Sequence, residues 1–181
     1  MGKILVHEFI TLDGVIDNPT WTFDYPFDEM GTTIGALMGS SKGILLGRRT
    51  YEQFAPAWSG RTAEEDPGAP FMNETPKYVV SASLQSADWN NSTILGGYDA
   101  QTLRDLKERV DGDLYVSGSG TLVRAMLSDG LVDELHLFVF PLTLGSGQRL
   151  FADGQSQIRF TLADTDAYST GVLHLGYRPA E

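Results

Sequence analysis

The sequence predicts an α/β protein whose sheet is parallel through most of the chain and antiparallel at its end. Three observations carry that prediction. Apolar, β-prone runs alternate with stretches of helical spacing from the N-terminus to about residue 128. The remaining third holds three strand-like runs with no good helix between them. The chain of 181 residues, 41% hydrophobic, is long enough for one well-formed core and short for two, so a single domain over 1–181 is expected.

The first strand is "KILVHEFI" (3–10), followed by the loop "TLDGVIDNPTW". A helix starts at Asp28 or a neighbour and runs through Met38, with Gly31 and Gly35 as weak points. "GILL" (43–46) reads as a short buried strand and "RRTYEQF" (48–54) as the helix after it. Residues 55–76 are rich in Pro, Gly and charge and predict a loop, a lid or rim by its length. "KYVVS" (77–81) and "TIL" (93–95) are further strands. Leu103, Leu106 and Val110 fall at helical spacing, with Asp99 as N-cap. "DLYVS" (113–117) is a strand and 120–128 a helix; 132–140, 157–165 and 172–178 complete the strands.

Composition narrows the function. Thirteen basic against twenty-four acidic residues give a net charge of −11, which repels nucleic acid and anionic membranes at long range. A phosphate-bearing small molecule needs only local positive groups and stays admissible. No apolar run reaches the length of a membrane span, and "MGKILVHEFI" is not patterned as a signal peptide. The sequence has no cysteine, hence no disulfide, thiolate metal site or thiol nucleophile, which fits a cytoplasmic protein. His7, His136 and His174 lie in strand-like stretches without metal-ligand spacing, so ordinary strand positions and no metal are expected.

Two strand–glycine–helix junctions stand out. In "ILLGRRTYEQF", Gly47 precedes Arg48 and Arg49, whose guanidinium groups suit phosphate oxygens. In "LYVSGSGTLVRAML", Gly118, Ser119 and Gly120 precede a helix. Glycine permits close approach of a ligand, and a helix start aims free N–H groups and a positive dipole end at it. Each junction also reads as a plain capped turn or a solvated helix terminus. Together they could hold the two ends of a dinucleotide. The Rossmann pattern fails at Val123, and no P-loop or nucleophile elbow is present.

These stretches resemble dihydrofolate reductase-like proteins, most closely the reductase domain of riboflavin biosynthesis and its stand-alone relatives. "FITLDGVID", "GILLGRRTYEQF", "YVVSASL", "LYVSGSGTLVRAML" and "GLVDELHLFVFPLTLGSGQRLF" occur in the family's order across nearly the whole chain. The resemblance implies a three-layer sandwich with a mixed, mostly parallel sheet of about eight strands, and NADPH across the strand ends. It implies that Gly47, Arg48, Arg49 and Thr50 bind cofactor phosphates and that Ser81 lies near the adenosine 2′-phosphate. Gly118, Ser119, Gly120, Thr121 and Leu122 would hold the pyrophosphate. Dihydrofolate reductases proper have two successive glycines where this chain has Gly118-Ser119.

The resemblance also implies that Asp13, Gly14, Val15 and Ile16 close over the nicotinamide, with Ile16 touching the ring. Asp13-Gly14 is equally a common turn dipeptide. Asp28, in Pro26-Phe27-Asp28, matches the family's pterin-binding acid, a buried carboxylate able to bind an amino-pyrimidine edge and assist protonation. Asp28 and Glu29 also simply favour a helix N-terminus. No arginine matches the one that binds the folate glutamate; Lys77 lies near its place, and 55–76 departs from the folate-site segment. The implied activity is therefore that of a 5-amino-6-(5-phosphoribosylamino)uracil reductase, or a relative acting on another small heterocycle. The other class left open is a nucleotide-binding sensor or interaction module without turnover. A homodimer is the implied assembly, and "LHLFVF" is apolar enough for a partner or for a central strand.

Overall fold

The computed structural model describes residues 2–180. Eight strands form one sheet: β1 (Ile4–Thr11), β2 (Ser41–Gly47), β3 (Lys77–Val80), β4 (Ser92–Gly96), β5 (Asp113–Ser117), β6 (Glu134–Phe140), β7 (Phe160–Ala167) and β8 (Leu173–Pro179). Their order is β4-β3-β2-β5-β1-β6-β8-β7. The first six pair in parallel, and β8 and β7 add antiparallel at one edge. This is the dihydrofolate reductase-like arrangement that the resemblance implied.

Five helices, α1 (Asp28–Ser40), α2 (Arg48–Trp58), α3 (Ala69–Glu74), α4 (Ala100–Arg109) and α5 (Gly120–Ser128), cover the two faces. Strand alternation decides which face each residue serves. Ile4, Val6 and Ile10 of β1 join Leu45, Leu114 and Val116 under Leu103 and Leu106 of α4 and Leu122, Val123 and Met126 of α5. Leu5, Ile44, Leu46 and Tyr115 point the other way, under Leu37 of α1, Tyr51 of α2 and Met72 of α3. The apolar run of β6 is buried on both faces within the chain, so it is a central strand and not the mark of a partner. Asp99 caps α4 as expected, accepting from Thr102 N–H.

Residues 55–76 are the loop that their composition predicts only in the middle, over 59–68; both ends are helical. α2 runs on to Trp58 with Pro56 in its last turns, and α3 buries Ala69 and Met72 against the sheet. Pro and Gly there punctuate two short helical pieces, of which Ala69 and Met72 are buried and Trp58 and Phe71 partly so. A 3-10 turn at Pro19–Asp24 also went unmarked by the hydrophobic pattern. Gly31 is no weak point in α1, because the Phe27 ring lies where a side chain at 31 would stand.

Lys77, near the expected place of a substrate-binding arginine, is a buried post at the start of β3. Its ammonium donates to the carbonyls of Asn73, Thr75 and Asn90 at 3.1, 2.9 and 2.9 Å and lies over the Trp89 ring. Burial pushes its pKa down to about 8.

Glu8 is the sharper anomaly. It follows Val6 and precedes Ile10 on the α5 face of β1, 2% exposed, and its Oε1 has no hydrogen-bond partner. Burial raises its pKa from 4.5 to about 8, opposed only in part by Arg124. Below pH 8 the native state keeps the proton that the unfolded chain gives up above 4.5, so stability falls as pH rises between those values. Glu8→Gln should abolish that slope, at most about 1.4 kcal/mol per pH unit. Urea unfolding of both proteins from pH 5 to 8 checks it; equal slopes would show that Glu8 is not the group responsible.

Candidate functional site

The parallel strands deliver their C-terminal ends to one rim of the sheet, the place where open α/β sheets bind ligands. β5 lies between β1 and β2, so the turn after β2 and the turn after β5 become neighbours although 72 residues separate Gly47 from Ser119. Two hydrogen bonds lock them. Gly47 N–H donates to Ser119 Oγ at 3.0 Å, and Ser119 N–H donates to Thr50 Oγ1 at 2.9 Å.

The lock explains the local conformation. Gly118 and Ser119 both have positive φ, 62° and 61°, which turns the chain sharply from β5 into α5. Ser119 occupies the N-cap position of α5, yet its hydroxyl is engaged with Gly47 and caps nothing. The first intrahelical-type bond beyond the cap is Val123 N–H to Ser119 O, so the N–H groups of Gly120, Thr121 and Leu122 are the orphans of the helix start. α2 likewise starts at Gly47 without a side-chain cap. Two uncapped helix starts thus converge on one spot.

Arg48 and Arg49 follow Gly47 on the first turn of α2. Arg48 is held by Glu52 one turn on, at 3.1 Å to each carboxylate oxygen. Val80 pairs with Gly47, which brings the following Ser81 beside Arg48 at the rim. Ser81 is buried, and its hydroxyl accepts from Ser83 and Leu84 N–H groups at 3.2 and 2.9 Å, shaping the turn after β3. Gly47, Arg48, Arg49, Thr50, Ser81 and Gly118 to Leu122 are therefore gathered, with Thr50 and Ser119 spent largely on each other.

The loop after β1 closes against the same place. Ile16 packs where a side chain on Gly120 would stand, so only glycine admits this contact. Ile16 N–H donates to Gln148 O, and Val15 pairs with Arg149, which ties residues 11–17 to the 142–150 loop. Asp13 is the fastener. Its carboxylate accepts from Thr11 Oγ1 at 2.6 Å, Gly145 N–H at 2.7 Å and Leu144 N–H at 3.2 Å. The Thr11 hydroxyl, then the Gly145 amide, hold its pKa down to about 2. Gly14, at φ 82°, completes the turn.

Asp28 opens α1, but exposed, not as the buried carboxylate expected from the family pattern. Helix starts place their first acidic residues outward unless an adjacent loop covers them, and here Glu29 is the one engaged, by Ser169. The sequence marks His7 only as an ordinary strand position, and the structure buries it. His7 lies among Phe9, Phe138 and Tyr115, with Nδ1 2.7 Å from Tyr115 Oη and Nε2 without a partner. Burial, then the nearby imidazoles of His136 and His174, push its pKa to about 3, so the ring is neutral. An isolated histidine in an apolar strand gives no sequence signal for this. A cavity of about 190 Å³ lined by Leu127, Phe151, Ile158 and Phe160 lies at the far end of α5 and takes no part.

The donor set fits an anionic dinucleotide: free helix-start N–H groups on α5 and two arginines on the first turn of α2. Asp13→Ala should release the 142–150 loop, seen as faster hydrogen exchange at Leu144 and Gly145 with strand amides unchanged. Unaltered exchange at those two amides would show that Asp13 does not hold the loop.

Comparison with known proteins agrees with this architecture. The family model described as the RibD C-terminal domain matches residues 2–174. Two uncharacterised proteins of Bacillus subtilis (strain 168) are similar along their lengths. YyaP is 25% identical over 97% of this chain and 94% of its own, and YwjB is 26% identical over 95% and 96%. Among solved structures, a putative riboflavin biosynthesis protein from Shewanella sp. PV-4 superposes with a TM-score of 0.80 at 22% identity, covering both chains fully. The Saccharomyces riboflavin biosynthesis reductase Rib7 gives 0.63 at 18% identity, over 99% of this chain and 90% of that one. A Thermotoga maritima deaminase/5-amino-6-(5-phosphoribosylamino)uracil reductase gives 0.70 at 17%, over 99% of this chain and 57% of that one. By the family match over nearly its whole length, this chain belongs to the RibD C-terminal domain family.

Proposed function

We propose that the protein is a cytoplasmic NADPH-dependent reductase that transfers a hydride to a small heterocyclic or ribosylamino-pyrimidine substrate, and that it works as a homodimer. The observation that carries the reading is the interlocked pair of glycine turns at the ends of β2 and β5, with two uncapped helix starts and two arginines beside them. A dinucleotide has two phosphate-bearing regions, and this rim offers donors for both. The extra phosphate of NADPH suits Arg48, Arg49 and Ser81, while the pyrophosphate suits Gly118 to Leu122.

The bound nicotinamide supplies the hydride; the protein's share is placement and exclusion of water. Gly14, Val15 and Ile16, clamped by Asp13, form the cover over that end of the site. Asp28, at the open end of α1, is the group proposed to meet the polar edge of the substrate and assist its protonation from solvent. Rib7 and the Thermotoga maritima enzyme, both named as reductases of riboflavin-type biosynthesis substrates, support the substrate class.

Arg48→Ala with Arg49→Ala should weaken NADPH by roughly tenfold or more, one to two charge-assisted hydrogen bonds, and NADH by much less. Fluorescence titration of both nucleotides measures this, and equal weakening would remove the arginines from the 2′-phosphate. The wild type should oxidise NADPH with 5-amino-6-(5-phosphoribosylamino)uracil or a related acceptor. Binding without oxidation by any such acceptor would favour the sensor module instead.

A further inference from the structure

The last three strands bring together a cluster that has no part in the rim described above. His136 of β6 pairs across Gly176 of β8 with Asp164 of β7, and Phe138 pairs across His174 with Asp166. Residues two apart share a face, so His136, His174, Asp164 and Asp166 crowd one patch. Gly176 makes room, since a side chain there would meet Asp164 and His136. One ligand atom each from Asp164, Asp166 and His174 lies within 4.8 Å of the others. His174 is fully buried, while both aspartates reach solvent and leave a way in.

The hydrogen-bond pattern beside the cluster is one positive partner short, a place that a bound cation or an added proton would fill. His174 Nδ1 lies 3.2 Å from Asp166 Oδ2, His174 Nε2 lies 3.0 Å from His136 Nδ1, and His136 Nε2 lies 3.3 Å from Glu134 Oε2. The two rings are nearly parallel, 5° apart, with centroids 5.2 Å from each other. Glu134 is an ionised carboxylate held by Lys3 and Arg178, so it only accepts. Three contacts need three positive partners, and two neutral imidazoles carry two N–H groups. A metal on His174 Nδ1 completes the chain. His174 Nε2–H then donates to His136, and His136 Nε2–H donates to Glu134, the carboxylate–histidine–metal order that fixes ligand tautomers. The 3.2 Å spacing also matches two ligands on one ion at about 2.0–2.1 Å each.

We propose that Asp164, Asp166 and His174 bind one divalent first-row transition ion of the Zn²⁺ class, with water completing its shell and His136 and Glu134 orienting the imidazole. The donor set of one nitrogen and two carboxylates suits such an ion, and the site would pin the edge strand β7 to β8. The three ligands lie on two strands, so sequence spacing concealed them.

The test is titration of the untagged, chelator-stripped full chain with Co²⁺, followed by its visible absorption, and displacement by Zn²⁺. One equivalent should bind, and thermal unfolding should shift upward with Zn²⁺. Asp164→Asn and Asp166→Asn should each weaken binding at least tenfold, and His136→Gln about tenfold while still folding. Asp105→Asn, on the exposed side of α4, should leave it unchanged. Absence of saturable binding at millimolar metal would overturn the proposal and leave a proton as the third partner. Binding unaffected by Asp164→Asn and Asp166→Asn would overturn it equally, as an adventitious ion elsewhere.

Discussion

The union of the two turns at the candidate rim depends on the hydroxyl of Ser119 being occupied. In the N-cap position of α5 that hydroxyl would ordinarily satisfy the helix's own N–H groups. Here it accepts from Gly47, and Thr50 in turn accepts from Ser119 N–H, so two turns distant in sequence become one unit. The consequence is chemical as well as mechanical. The N–H groups of Gly120 to Leu122 remain unpaired, and the positive end of the helix is left facing the space that a phosphate would fill. Positive φ at both Gly118 and Ser119 is the conformational cost of that arrangement.

A second set of constraints surrounds the lock. Ile16 seats against Gly120 and is kept there by the Asp13 clamp on Leu144 and Gly145. The loop after β1 is thus fastened by a carboxylate, not by apolar packing alone, and its anchor points are backbone amides. Buried polar groups in the sheet follow a different logic: Lys77 has three carbonyls, whereas Glu8 and His7 each keep an atom without a partner. His7 and Glu8 are successive residues of β1 and so point to opposite faces of the sheet.

The strands were legible because their apolar runs have the right length and period, and all eight appear where the pattern puts them. Helix α4 was equally plain, with Asp99 as cap and Leu103 and Leu106 inward. Residues 55–76 were legible as a loop over 59–68, while α3 was hidden because Ala69 and Met72 are too few to show a helical period. The two phosphate-type turns could be seen singly; their union depends on β5 inserting between β2 and β1, which no local pattern encodes. The same holds for His136, His174 and Asp166, joined by antiparallel register across three strands. Asp28 was found at its helix start, but its exposure depends on which loop covers α1, a tertiary matter.

The most direct measurement is an amide NMR titration of the ¹⁵N-labelled protein with NADPH. Saturable shifts concentrated at Gly47 to Thr50, Gly118 to Leu122 and Gly14 to Ile16 are the expected result, because the ligand would take up the free helix-start N–H groups. No shifts at millimolar NADPH, or shifts centred away from the two turns, would contradict the cofactor cradle and leave the Ser119 lock as a purely structural device.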